Sequence, residues 1–307
     1  MLTTSLQPKH QLRIMDNGGI FTPQLTDDGS FTFFSQEFCE AFHSQHGAKQ
    51  EAELKFVNPL QLKEKAQQPT LHLLDVCYGL GYNTAAALET IWAVNPDCRV
   101  EWVGLELDAS VAPAAIAHNL LNSWNPEYIQ ILAKLAISGQ VKTERLQANL
   151  LIGDARETIR QVYLSGFRAD AIFLDPFSPL HCPQLWTVEF LDMVAKCLKP
   201  SGRLATYSCA AAVRTALLAA QLQIGATPPV GRRSPGTVAA QKPRLPPLSL
   251  QEQEHLQTKA AIPYRDPNLS DPADVILQRR TIEQQTSSLE PSSHWKRRWC
   301  QKQDTKS

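Results

Sequence analysis

Four short apolar runs in this chain each end in an acid. The first, Leu71-His72-Leu73-Leu74-Asp75-Val76, breaks into Cys77-Tyr78-Gly79-Leu80-Gly81. The run at 100–105 ends at Glu106, the run at 149–153 at Asp154, and the run at 169–174 at Asp175. Carboxylates can hold cations, accept hydrogen bonds from hydroxyls and take up protons. Glycines beside one of them let a ligand approach the backbone closely, and the helix that follows turns its first N–H groups outward. A dinucleotide fingerprint wants a third glycine where Thr84 stands. Asp75 would also repel a phosphate. The ligand suited to this loop is cationic and carries no phosphate.

S-adenosylmethionine meets that description, with an ammonium, a sulfonium and no phosphate. The residues expected to contact it are Asp75, Tyr78, Gly79, Gly81, Asn83, Glu106, Asp154 and Ala155. Glu106 is placed to accept both ribose hydroxyls, and Asp154, with the backbone of Ala155, to meet the adenine edge. Asp175-Pro176-Phe177-Ser178-Pro179 resembles the (Asp/Asn)-Pro-Pro-aromatic loop of amino-group methyltransferases. Methyl transfer to nitrogen needs a neutral lone pair, whereas an amine is largely protonated at neutral pH. Asp175 is therefore expected to orient and deprotonate an amine. Phe177 would line the pocket and stabilise positive charge. The plainer alternative is that acids at strand ends are solvated or cap helices, which is common for one such residue and poor for four.

The elements that must position these residues follow from the pattern. Strands alternating with helical segments predict an α/β fold with a mostly parallel sheet and right-handed crossovers. Ligands in such sheets lie beyond the carboxyl ends of the strands. Residues 69–240 form this unit, of the Rossmann-like, class I S-adenosylmethionine-dependent methyltransferase type. Residues 1–68 read as a small extension packing on it. Residues 241–307 read as an irregular, Pro-rich, basic extension, and 10 of the 21 prolines lie from 226 onward. Two modest helices are expected there. One opens at Ser249 with a capping box to Glu252, the other at Ser270/Asp271 with Pro272 as first helical residue.

The net charge of zero hides an asymmetry. Residues 226–307 carry 13 Lys/Arg against 8 Asp/Glu, and residues 1–225 carry 17 against 22. A basic tail on an acidic body is a prior for a polyanionic partner. Seven scattered cysteines, with no Cys-x-x-Cys pair, predict free thiols in a reducing cytoplasm and no zinc site. His43-x-x-His46 lacks a third ligand, so no metal is expected. No signal peptide or membrane span is read. Trp186 and Phe190 read as packing. His294-Trp295-Lys296-Arg297-Arg298-Trp299 can pair phosphates and stack bases, or its tryptophans can dock onto the body; both readings stand.

Longer motifs resemble one family. From about Thr26 to Thr237 the chain is similar to the methyltransferase half of the bifunctional tRNA wobble-uridine modification enzymes, the MnmC type, and to their stand-alone relatives. Asp28-Gly29-Ser30-Phe31-Thr32, Ser35, Phe38, His43-Ser44, Gly47-Ala48 and Glu51 match its N-terminal signature. The stretch from Asp170 to Pro179, then Pro183-Gln184-Leu185-Trp186-Thr187, resembles its most specific motif. Leu204-Ala205-Thr206-Tyr207-Ser208, Val213-Arg214 and Gly231-Arg232-Arg233 continue the likeness. The chain departs from the family at Cys77, usually glycine, and at Pro176 and Ser178, where the usual loop reads Asp-Gly-Phe-Ala-Pro.

The resemblance implies methylation of 5-aminomethyl-2-thiouridine at tRNA position 34 to 5-methylaminomethyl-2-thiouridine, in the cytoplasm. S-adenosylmethionine would be the cosubstrate and the anticodon region the partner. Phe177, Ser178, Pro179, Arg232 and Arg233 would meet the substrate. No FAD is expected, because nothing after residue 240 has the length or glycine fingerprint of the oxidoreductase half. Two other readings stay open: methyl or aminopropyl transfer to a small amine, and a non-catalytic RNA-binding scaffold, which Cys77 motivates.

Overall fold

The computed structural model describes residues 21–230, 234–242 and 245–304, side chains 301–304 excepted; Arg232 and Arg233 lie outside the described residues. Two short antiparallel hairpins come first: β1 (Gln24–Leu25) with β2 (Phe31–Thr32), and β3 (Phe34–Ser35) with β4 (Glu40–Ala41). Helix α1 (Ala48–Glu51) runs into a π-helical turn, Ala52–Val57, and α2 (Leu62–Lys65) follows.

The main sheet has eight strands: β5 (Thr70–Val76), β6 (Arg99–Glu106), β7 (Gln140–Lys142), β8 (Leu146–Ile152), β9 (Ala169–Leu174), β10 (Leu198–Thr206), β11 (Gln223–Ala226) and β12 (Thr237–Ala240). Their order is β11-β12-β10-β9-β5-β6-β8-β7. Pairs from β10 through β8 are parallel, and β7, β12 and β11 join antiparallel. The chain order reverses at β5, which lies between β9 and β6. That is the switch point where a crevice opens.

The period of two along β5 sorts its side chains by face. Leu71 and Leu73 join the core under α3 (Tyr82–Val94), α4 (Val111–Ala117) and α5 (Pro126–Ser138). Leu74 and Val76 join the core under α6 (Ala155–Leu164), α7 (Val188–Lys196) and α8 (Ala211–Ala219). Phe33, Phe56, Leu60 and Leu62 of the N-terminal segment are fully buried in the α3 core.

The boundaries differ from expectation where local signals were weak. Helix α3 begins at Tyr82 and runs to Val94, beyond the Ala-rich stretch at 84–89, because Ile91 and Trp92 also reach the core. Strand β10 starts at Leu198 and slips register before Arg203, across Pro200-Ser201-Gly202. The C-terminal segment is more helical than expected: α9 (Leu250–His255), α10 (Ala273–Thr286) and α11 (Ser292–Asp304). The Ser249–Glu252 capping box forms. Pro272 is the residue before α10 rather than its first. The two tail tryptophans do dock, onto α9 of the same C-terminal segment rather than onto the sheet. Trp295 is buried and stacks on His255 with centroids 4.2 Å apart, and Trp299 Nε1 donates to Glu254 at 2.9 Å. Trp186 and Phe190 are fully buried. No described helix is long and apolar enough to cross a membrane.

Candidate active site

A cavity of about 1020 Å³, counting its open mouth, lies beyond the carboxyl ends of the central strands. Its floor includes Cys77 and Gly79 on the loop after β5, Glu106 at the end of β6, and Asp175 and Phe177 on the loop after β9. Tyr207, just past β10, closes one side, and its hydroxyl donates to the Pro176 carbonyl at 2.9 Å. The roof is the N-terminal segment, with Phe38, Glu40, Phe42, His43 and Glu51.

The glycine loop has the geometry that its residues require. Gly79 and Gly81 take φ +56° and +86°. A Cβ at Gly81 would come within 2.6 Å of Tyr78 Oη, so no larger residue fits there. Tyr78 itself is buried edge-on against Trp102, outside the cavity wall. Gly81 precedes α3 without a side-chain cap, leaving the first N–H groups of that helix without that partner.

The four strand-end acids separate into three kinds. Glu106 is buried and grips the loop: Oε2 accepts Gly79 N–H at 2.8 Å, and Oε1 accepts Asp108 N–H at 3.0 Å. Burial raises its carboxyl, while these backbone donors pull the other way. Asp75 is fully buried; Oδ2 accepts Thr84 Oγ1–H at 2.7 Å, and Oδ1 has no partner among the described residues. Burial pushes this carboxyl up to about 8, opposed by Thr84 and assisted by the charge of Glu106. Asp175 accepts Asn83 Nδ2–H at 2.9 Å. Its carboxyl is raised well above the ordinary range, first by burial and then by the charge of Glu51.

Asp154 is the third kind. It caps α6, accepting Arg156 N–H at 2.8 Å, and the Arg156 guanidinium closes on both its oxygens. Arg156 also bonds the fully buried Asp266 at 2.9 Å, tying the C-terminal segment to the sheet. Asp154 thus does what the plainer reading expects of a strand-end acid, and its carboxyl is held low chiefly by Arg156, against its own burial. The structure therefore brings Gly79, Glu106, Asp175 and Phe177 to the cavity. Asp75, Tyr78, Gly81, Asn83, Asp154, Ala155, Ser178 and Pro179 lie outside its wall. Asp75, Tyr78, Gly81 and Asn83 support the loop and Asp175 from behind.

The roof was not foreseen as part of the site. Phe38 stacks on Phe177 at 4.5 Å, and Phe42 meets the same ring edge-on at 5.0 Å. Glu40 Oε2 accepts Ser178 N–H at 2.9 Å and stands 3.4 Å from His181 Nδ1. Phe38 and Glu51 belong to the matched N-terminal signature, which carries no hint of their place. His43 lines the cavity with its imidazole pushed down to about 4 by burial, and His46 faces Asp27 instead. Among the described residues no group of three or more His, Cys, Asp or Glu is placed to hold a metal ion.

Comparison with known proteins agrees with this architecture. Residues 115–242 match the sequence model of a family described as S-adenosyl-L-methionine-dependent methyltransferase. An uncharacterized protein of Methanocaldococcus jannaschii is 30% identical over 263 residues, 83% of this chain and 70% of that protein. The tRNA 5-methylaminomethyl-2-thiouridine biosynthesis bifunctional protein MnmC of Acidovorax sp. is 28% identical over 235 residues. That match takes in 72% of this chain and 35% of the bifunctional protein, so the chain spans about a third of that relative's length. The crystal structure of MNMC2 from Aquifex aeolicus superposes with a TM-score of 0.76 at 34% identity, covering 87% of this chain and 86% of that one.

Proposed function

The chain belongs to the MnmC-type S-adenosyl-L-methionine-dependent methyltransferases, and from that premise we propose that it methylates the primary amine of 5-aminomethyl-2-thiouridine at tRNA position 34. The observation that carries the reading is Asp175. It is a carboxyl with a raised proton affinity, held by Asn83, in a cavity walled by acids and by the Phe38–Phe42–Phe177 cluster.

The residues fit the cosubstrate. Asp75 offers a buried oxygen without a partner, Glu106 a carboxylate on the floor, and α3 an uncapped N-terminus suited to a carboxylate. When bound, S-adenosylmethionine supplies an electrophilic methyl on a sulfonium. The chain's own part is to hold the amine and manage its proton. Burial raises Asp175 towards the amine's own proton affinity, which makes proton transfer between them less uphill. An ammonium entering beside it favours the charged carboxylate, which then takes one proton and leaves a lone pair. Phe177, packed between Phe38 and Phe42, presents an aromatic surface to developing positive charge.

Exposed Lys296 and Arg297 on α11, together with Arg232 and Arg233, are proposed to meet the tRNA backbone. Incubation of the protein with S-adenosylmethionine and tRNA bearing the aminomethyl group, followed by nucleoside mass spectrometry, should yield 5-methylaminomethyl-2-thiouridine. Unchanged nucleosides would overturn the assignment. The acid-rich cavity wall favours a second reading, a small free amine as acceptor. Salt separates the two: turnover on tRNA should weaken steeply as salt rises, and turnover on a small amine should not.

A further inference from the structure

Asp175 is not the sole carboxylate that an acceptor amine would meet. Glu51 stands in the wall of the same cavity, contributed by the roof, and is 8% exposed. Its Oε2 accepts Ser44 N–H at 3.0 Å, which fixes the group. Its Oε1 lies 3.6 Å from Lys55 Nζ, outside ordinary hydrogen-bond range. Lys55 is 3% exposed and sits on the π-helical turn 52–57. Turns of this kind are rare and recur at functional sites. A buried ammonium is costly unless paired, and Glu51 is the carboxylate paired with it.

We propose that Glu51 is a second acceptor for the substrate amine, and that Asp175 and Glu51 together fix its two N–H bonds so that a single methyl group is transferred. This rests on the amine-methylation reading above. A neutral primary amine has two N–H bonds and one lone pair. One acceptor leaves the lone pair free to swing about the N–H···O axis; two acceptors on different walls hold it. The proton balance is simple. The substrate ammonium gives one proton to one oxygen of the Asp175 carboxylate. The amine then turns about its C–N bond, so that the other Asp175 oxygen and Glu51 accept the two N–H bonds that remain and the lone pair is free of the new O–H. The neutral nitrogen then bonds the methyl carbon as the carbon–sulfur bond breaks, and sulfur keeps the electron pair. The product leaves as a secondary ammonium, and Asp175 returns its proton to solvent. For a second transfer, the methyl already present would have to face one of the carboxylates in place of an N–H. That carboxylate would be buried without its donor, an unfavourable arrangement.

Three measurements test this. Offered tRNA that already carries the methylaminomethyl group, the wild-type protein should form no dimethyl nucleoside; efficient dimethylation would overturn the proposal. Glu51→Gln keeps an oxygen for Ser44 but replaces the other acceptor with a donor. Its kcat should fall about tenfold or more, dimethyl product should appear on long incubation, and S-adenosylmethionine affinity by calorimetry should hold. Loss of the Glu51 charge also lowers Asp175, so the acid limb of the pH profile should move to lower pH. The other titratable groups facing the pair are Lys55, Asp75, Cys77, Tyr207 and His43, all unchanged in this variant. Glu51→Gln with Lys55→Met removes both charges, leaves no isolated ammonium, and should give the same product mixture. A wild type that methylates the amine, with either variant matching its kcat and its single product, sinks the role of Glu51. A wild type inactive on the amine refutes the underlying reading instead.

Discussion

Asp170 and Asp75 lie at opposite ends of adjacent strands, and their surroundings differ in kind. Asp170, near the start of β9, is 3% exposed, and its Oδ2 accepts the His72 N–H at 2.9 Å and the Lys199 ammonium at 2.7 Å. The His72 ring joins them, with Nδ1 2.8 Å from Lys199 Nζ. Asp75, near the end of β5, is as deeply buried but has Thr84 as its one donor and an oxygen left over. Buried polar atoms are normally satisfied, because an unmade bond there is expensive. One end of the sheet obeys that rule and the other suspends it. The amino-end cluster is satisfied within the fold, whereas at the carboxyl end Asp75 keeps an oxygen with no partner among the described residues.

The sharpest break of that contrast comes from Asp175. Asp175→Asn should lower kcat by about 10²–10⁴-fold, since it removes the proton acceptor. It should leave the thermal midpoint unchanged or higher, because the carboxyl it removes is held in a like-charged, desolvated place. Kinetics and a melting curve on one preparation test both halves. A midpoint that falls as the activity does would place Asp175 among the structural acids.

Asp170→Asn should do the reverse. It leaves the Lys199 ammonium without its carboxylate and should cost about 2 kcal/mol of stability, moderated because Lys199 is partly solvated. Turnover per folded molecule should not change. Denaturant unfolding gives the first number, and activity scaled to folded protein gives the second. A large drop in kcat would mean that the two ends are not independent.

A smaller effect is read through pH. Asp75 has its folded value at about 8, above the ordinary carboxylate range of an unfolded chain. The folded protein therefore keeps a proton that the unfolded chain releases between the two values. Stability should fall as pH rises through that window, by at most about 1.4 kcal/mol per pH unit for one group. Asp175, also raised, adds in the same direction. Asp154, Asp28 and Glu252 are held low, so their contribution is lost only under acid conditions below this window. His43, pushed down to about 4, works the other way until the ordinary imidazole value near 6.5, so the decline shows above that. Asp75→Asn should flatten it, and a wild-type midpoint level from pH 6.5 to 8 would contradict the account.

The same contrast explains what could be read from residues alone. The acids of the carboxyl end were legible because each closes an apolar run of strand length, and strand ends define the ligand side of a parallel sheet. Glu106, Gly79 and Asp175 meet at the cavity for that reason. Nothing local to Asp154 announces that Arg156 will span it to Asp266, 110 residues further on. The roof was hidden by the same distance. Glu40 meets Ser178 across 138 positions, and no periodicity near Glu40 or Glu51 points to the sheet they cover. In the tail both expected helices form, and the third, α11, has no local signal because Trp295 docks on His255, 40 positions earlier.

Cys77 supplies the smallest test and the most local. Its φ is +69°, a left-handed conformation that is unfavourable for a residue with a Cβ by about 1–2 kcal/mol. The position cannot drift to relieve this, because the N–H groups of Cys77 and Tyr78 both donate to the Leu105 carbonyl, at 3.0 and 2.9 Å. A glycine would take this φ without that cost. Cys77→Gly removes the strain but frees the unfolded chain by about 0.5–1 kcal/mol, so the net change should be small. Cys77→Ala loses the thiol and keeps the strain. The difference between the two variants isolates the backbone contribution, and glycine should be the more stable by about 1 kcal/mol. If alanine proves the more stable, the loop is held by packing of its side chains rather than tolerated despite them. The site end of the sheet would then be built on the same terms as the other.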